Sequence, residues 1–505
     1  MRIATSQALS GLPYRVRIAL PVLTAVMIAA GAPRPAHADA LTSFTQGDLV
    51  VSLYGDGTVT DNQASSITLQ EVTTSGSVVG QMTLPQTTST VNGVTNYPIS
   101  GEYGSSSEGT LELSGNKQYL TIAGYGVSAA AFNANPQSYG GGTKTCITSG
   151  SSSVSCYPLA QTASTAGTAG SAGSGVTTAV VVPRVVALVG VNGTVDTSTA
   201  LTGVFNENNP RSVATVDGTS FYLAGQGMTK TKNDPTQGLY YAKLGATTAT
   251  TIDNSYEART VEIQNNQLYL SSDTTEGSGV HENISSYGTA GNLPTAAASA
   301  TVLPSLQSKY QTASAAQLNV LDSSLGGQKI YLSPENYFFA NSTTLYVADS
   351  GAPKGDNNGS GGAAQGLSDG GLQKWVYNGT NWVLQYTLST GLNLVPDTTP
   401  CGSNQVNCGT TGLIGLTGQV VGNSVELFAT NSTLGDLDQT YLFGITDSLS
   451  STSGAGESFT TLLTAAPGTN IRGVAFAPAP EPSSLSLMAF ALIGIALIRR
   501  QMTRA

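Results

Sequence analysis

The sequence predicts an all-β chain: a β-propeller of six four-stranded blades, or of seven if residues 328–332 belong to a further sheet. Three observations carry this expectation. Residues 211–225 (RSVATVDGTSFYLAG) place β-branched and aromatic residues on both sides of an Asp217-Gly218 turn, which is the outline of a hairpin. The same outline recurs at 110–124, 259–271, 337–349 and 413–429, each time with Gly or Asn at the turn and an apolar second strand. Repeated small hairpins point to an array of sheets rather than one large core. Finally, residues 471–477 (IRGVAFA) have the outline of an inner strand with no partner after them, while the strands expected at 47–54, 67–73 and 79–84 lack an inner strand. Joined, the two pieces make one complete blade shared by the N- and C-terminal strands, leaving only short protected edges.

The remaining elements follow in order. Residues 180–191 and 194–201, joined by Asn192-Gly193, read as the outer hairpin of the unit begun at 110. Residues 238–244 supply a third strand to the next unit, and 259–303 form another with a weaker outer half. A short surface helix is expected within 305–321. The unit 337–388 carries Trp375 and Trp382 around Asn378-Gly379, and 440–445 is the third strand of the last unit. Residues 133–177 are almost wholly Gly, Ser, Thr, Ala and Asn, too poor in large apolar groups to bury themselves. They are expected to be a low-complexity surface loop.

The composition agrees with short strands and tight turns: 59 glycines in 505 residues, and only 10% charged. Seven of the 20 basic residues lie in the terminal segments, so residues 39–478 hold 13 basic against 29 acidic groups, a net charge of −16. A body this acidic is repelled by phosphate backbones and anionic lipid surfaces, which excludes nucleic-acid binding.

Both ends read as addresses. Residues 1–38 have the form of a signal peptide: Arg2, Arg15 and Arg17, a thirteen-residue apolar run at 18–30, and the small-residue site Ala36-His37-Ala38. At the other end Pro480, Glu481 and Pro482 precede an apolar stretch, 483–498, closed by Arg499 and Arg500. An apolar helix ending in cations is a stop-transfer signal. Together these features resemble the PEP-CTERM sorting tail, here 479–505. The resemblance implies export across the inner membrane and transient retention by a short transmembrane helix. It also implies processing near the PEP triplet by an exosortase-type enzyme after signal peptidase has acted, with a cell-surface or extracellular destination. The body between (39–478) loosely resembles secreted propeller-like proteins of unassigned function, through residues 100–126, 209–225 and 471–478.

Four cysteines in an exported chain favour disulfides, and local pairing of Cys146 with Cys156 and of Cys401 with Cys408 is expected among three connectivities. Neither spacing suits a metal, no cofactor motif is present, and His281 alone cannot supply a multi-histidine site or a recognisable triad. Residues 349–362 are rich in oxygen ligands but lack the EF-hand order. Three arginines are more informative. Arg211, Arg259 and Arg472 each open an inner strand in the context R-x-V, so inner strands lining a channel would gather them at one rim. Guanidinium groups there would grip a carboxylate bidentately, or else tie strand ends to carbonyls and to carboxylates such as Glu102, Glu108 or Glu262. The function expected is a non-enzymatic binding or structural module for extracellular polysaccharide or envelope partners. The alternative is a hydrolase or lyase acting on an acidic glycan at that rim. An enzyme would need carboxylates or a tyrosine within reach of the arginines.

Overall fold

A computed structural model of the protein describes residues 39–140, 143–147, 153–165, 179–274, 276, 281–307, 311–312, 329–330, 332–351, 370–394, 410–433 and 437–480. The signal region, Cys401, Cys408, residues 352–362 and the tail beyond Pro480, including Glu481, Pro482, the apolar stretch 483–498, Arg499 and Arg500, lie outside the described residues. Among the described residues no helix is long and apolar enough to cross a membrane.

The fold is all-β and built from antiparallel four-stranded sets. One sheet holds Pro210–Ala214, Ser220–Gly225, Gly238–Lys243 and Thr250–Asp253 in sequence order. Three more repeat the plan, from Val261–Gln264 to Thr301–Gln307, from Pro334–Asn341 to Trp382–Leu388, and from Gly412–Val421 to Thr460–Thr464. A ten-stranded sheet contains two further sets. The first runs Asn470–Phe476, Leu49–Tyr54, Ala64–Val72, Val78–Thr83; the second runs Glu112–Leu113, Tyr119–Tyr125, Arg184–Gly190, Val195–Leu201. Ser100–Glu102 pairs with strands of both sets and so joins them. The expected partnership between the two ends of the body is present: Val50 faces Ala475 and Leu53 faces Ile471. The turns form where glycine permits a left-handed backbone, as at Gly218 (φ 85°) in the Asp217-Gly218 turn.

Strand periodicity explains the packing. Alternate side chains point to opposite faces, and here both faces are covered by neighbouring sheets. Val213, Phe221 and Leu223 pack on Val186, Leu188 and Leu201, whereas Ala214, Tyr222 and Leu239 pack on Val261, Leu268 and Leu270. Ile284 and Leu306 meet Tyr337, Leu345, Trp375 and Trp382. Tyr346, Leu372 and Leu388 meet Leu413, Leu416 and Leu427, while Phe428 and Leu442 meet Leu49, Val51 and Val474. Val50 and Ile67 share a cluster with Leu111, Leu120 and Ile122. Trp375 and Trp382 are therefore core side chains between sheets, not exposed platforms for sugar rings.

Buried hydroxyls stitch successive inner strands. Ser52 Oγ donates to Gly109 O (2.6 Å), Thr121 Oγ1 to Val213 O, Ser212 Oγ to Arg259 O (2.9 Å), Ser271 Oγ to Glu335 O (2.9 Å) and Thr430 Oγ1 to Arg472 O. Each satisfies a carbonyl that the ladder leaves open at the inner edge of the next sheet, where water is excluded.

Two expectations need correction. Residues 305–307 end the strand Thr301–Gln307 rather than starting a helix, because Leu306 is fully buried against the Tyr337 cluster; residues 308–310 and 313–321 lie outside the described residues. Among the described residues, 311–312 pair with 329–330 as a two-stranded ladder. The stretch 133–177 is also not a bare loop where it is described. It lies against the helix Ala129–Ala134 and contains the hairpin Lys144–Ile147/Ser153–Cys156, closed by the expected Cys146–Cys156 disulfide. Phe132, Leu159 and Ala160 are buried against Tyr125, Val127 and Val182. The segment cannot make a core of its own, but it borrows apolar surface from a neighbouring sheet.

Candidate functional site

The strand starts that carry Arg211, Arg259 and Arg472 converge. Pro210–Ala214 holds Arg211, Asn470–Phe476 holds Arg472, and Arg259 stands two residues before Val261–Gln264. All three arginines line one small cavity, about 20 Å³. Its wall takes a residue from every four-stranded set: Glu108 from the loop before Glu112, Arg211, Arg259, Glu335, Ile414 and Arg472. The R-x-V spacing thus brings its three arginines to one place.

Each guanidinium is buried and anchored. Arg211 Nη2 lies 2.7 Å from Glu257 Oε2, and its Nη1 donates to Ala258 O (3.1 Å). Arg259 lies 3.6 Å from Glu335 Oε1 and 3.8 Å from Asp273 Oδ2. Arg472 Nη2 donates to Gly104 O (2.9 Å). The Nε atoms of Arg211 and Arg259 are buried without a hydrogen-bond partner among the described residues. A guanidinium has five N–H donors in a fixed fork, so these two are not saturated by their carboxylates.

The electrostatics follow from crowding. Burial pulls the Arg211 pKa down and the nearby Arg259 pulls the same way, against Glu257 and Glu335. Burial raises the Glu257 pKa, but Arg211 and Arg259 outweigh it and hold the carboxyl below its usual range. Asp273 is pushed up to about 7, first by burial and then by Glu335, Glu257 and Glu282, against the pull of Arg259. A second pair of carboxyls sits on the inner strands beyond the rim. Glu112 is raised well above its usual range by burial and by Glu262, and Glu262 is itself pushed up to about 8 by burial.

Of the carboxylates the sequence offered as arginine partners, Glu108 lines the cavity, where it accepts from Tyr125 Oη and Asn209 Nδ2. Glu102 instead accepts from Ala160 N (2.6 Å), and Glu262 interacts with Glu112. The partners that matter most, Glu257, Glu335 and Asp273, were not singled out. Glu257 precedes Arg259 by two, where Asn209 and Asn470 precede the other arginines, but Glu335 follows Pro334 at a strand start as Arg211 follows Pro210, a repeat that offered a signal for it. Arg184 is fully buried elsewhere, over the Tyr125 ring (4.7 Å) and donating to the carbonyls of Phe205 and Thr162. No group of three or more His, Cys, Asp or Glu able to hold a metal occurs among the described residues.

Fold and site together define an all-β body of four-stranded sheets with an arginine-carboxylate mouth at its inner strands. Residues 478–501 match the PEP-CTERM protein-sorting motif, at the C-terminus where the sequence places it. That motif implies export and sorting to the cell envelope or surface, with exosortase as the processing enzyme. No curated protein matches the chain. Among solved structures the chain is similar to one in a nidogen/laminin complex (9% identity, TM-score 0.35, covering 85% of this chain and 98% of that one). It is also similar to a hypothetical selenium-binding protein from Sulfolobus tokodaii (10%, 0.35, 87% and 95%). A third is apo AztD from Citrobacter koseri (8%, 0.29, 85% and 97%).

Proposed function

We propose that the chain is an exported binding module, displayed on the surface or held in the extracellular matrix. Its six four-stranded sets close into a toroid, and its arginine mouth takes a single carboxylate of a sparsely charged extracellular polysaccharide, whose low charge density keeps the acidic body from repelling it. The observation that carries this reading is the cavity wall, to which each set contributes at least one residue, with an arginine from three of them. Closure is supported by the pairing of Leu49–Tyr54 with Asn470–Phe476 and by the chain of hydroxyl stitches between sets.

Size and charge favour binding over turnover. A cavity of about 20 Å³ has room for roughly one water, and so for the edge of a carboxylate, but not for a sugar ring. Carboxylates do lie within reach of the arginines, as an enzyme would require. They are spent in ion pairs, however, and Glu257 is held ionised, which unsuits it to general-acid work. Processing at the PEP triplet is compatible with a stable body. The ladder ends at Phe476, Ala477 N donates to Asp48 O, Ala479 N donates to Lys117 O, and Pro480 is exposed. Cleavage beyond that point leaves the terminal strand in place.

Affinity capture on the producer's own exopolysaccharide tests the reading. Retention at low salt that falls as salt rises, and that weakens in Arg259→Gln, is expected. Failure of the folded protein to be retained at low salt counts against it.

A further inference from the structure

A second buried cluster, remote in composition from the arginine mouth, joins two sheets through Lys374 and Asp447. Lys374 sits on Gly371–Tyr377 and Asp447 on Tyr441–Ser448, so they belong to adjacent four-stranded sets. Both side chains are 0% exposed, and Lys374 Nζ lies 3.0 Å from Asp447 Oδ2. The amine is held between two tyrosine rings, 5.8 Å from the centre of Tyr346 and 5.2 Å from that of Tyr386. Both phenols donate to the Asp447 carboxyl, and Nζ also donates to Tyr386 Oη and to the carbonyls of Ser448 and Ser451. Tyr386 Oη thus accepts from the amine and donates to the carboxyl, a continuous hydrogen-bonded path between the two.

We propose that Lys374 and Asp447 condense to an intramolecular isopeptide bond, with Tyr386 as the proton relay. The amine gives up a proton and attacks Asp447 Cγ. A bond forms between Nζ and Cγ, and the bond between Cγ and one carboxylate oxygen breaks. That oxygen leaves as water, carrying the two protons lost in total from the ammonium. Tyr386 Oη takes one proton from nitrogen and passes its own to the leaving oxygen, and the other proton goes directly from Nζ to the carboxyl 3.0 Å away, so the phenol ends as it began. An ammonium and a carboxylate become a secondary amide and water, with no oxidant, reductant or other reactant.

Three considerations favour the step. Fixed reacting groups gain effective molarities of about 10⁵–10⁸ M over the same groups in solution. The product is neutral, which removes the desolvation cost of two buried charges. The two phenols polarise the carboxyl that is attacked. The bond would also be a covalent tie between sheets, whereas the disulfide among the described residues closes only a local hairpin.

Mass spectrometry of the purified, denatured full chain decides the matter. The expected mass is short by one water, beyond the hydrogens lost to disulfides. Digestion should then give a branched peptide joining Lys374 to Asp447, with no tryptic cut after Lys374. Recovery of Lys374 and Asp447 only in linear peptides overturns the proposal. Lys374→Arg should restore the full mass, a readout that does not require the variant to fold. Tyr386→Phe should leave most chains unlinked; if it links as fully as wild type, the proton relay is misassigned.

Discussion

Glu262 offers a substitution that should stabilise the protein increasingly as pH rises above about 4.5. It points inward from Val261–Gln264, is 6% exposed, and shares its surroundings with Glu112. Burial pushes its pKa from 4.5 to about 8. The sign follows from linkage. Between those values the folded protein keeps the proton and the unfolded chain does not. The contribution of the group is thus fully present below about pH 4.5 and is lost as pH rises through about 8. At ~1.4 kcal/mol per pKa unit the loss approaches 5 kcal/mol. Glu262→Gln keeps the shape, the burial and an acceptor for Gln264 Nε2, and never ionises. Urea titrations of both proteins should agree to within about 1 kcal/mol near pH 5, while near pH 9 the variant should be more stable by roughly 2–5 kcal/mol. Groups common to both proteins cancel in the difference. A stability difference that does not change with pH would refute a protonated Glu262 and the burial that keeps it so.

Two further substitutions probe the frame. Arg184→Met keeps much of the bulk over Tyr125 but strips donors from the carbonyls of Phe205, Thr162 and Val182, and should cost about 3–5 kcal/mol in denaturant unfolding. In Gly473→Ala the new Cβ would meet Gly109 O at 2.2 Å and Leu111 N at 2.5 Å, both backbone atoms that cannot yield cheaply. The expected loss is about 1–3 kcal/mol or more, with a lowered Tm; a neutral result would place the last strand elsewhere.

The elements that the sequence made legible are those whose signal is local. The Asp217-Gly218, Asn192-Gly193 and Asn378-Gly379 turns need a positive φ, which Gly218, Gly193 and Gly379 supply, and strands flank each one. The lone strand at 471–477 was legible because its missing partner could be counted. The arginine mouth was half legible: R-x-V repeats, so Arg211, Arg259 and Arg472 could be grouped. Their acidic partners were not grouped, since Glu257 and Asp273 lie outside the R-x-V motif and Glu335 takes the strand-start place of Arg211 with the opposite charge. The packing of residues 133–165 was misjudged because its burial depends on Tyr125, Val127 and Val182, which lie outside the stretch. Lys374 and Asp447 are separated by most of two sheets in sequence and carry no motif, so only their meeting in space reveals them.

A cysteine pair placed across the two ends of the body tests ring closure most directly. Val50 and Ala475 face each other in register and share one buried cluster, close enough for a disulfide once both are cysteine. Closure predicts that the monomeric Val50→Cys/Ala475→Cys protein, oxidised while folded, yields a disulfide-linked peptide pair spanning nearly the whole body. Two free thiols at those positions in the folded monomer would contradict it.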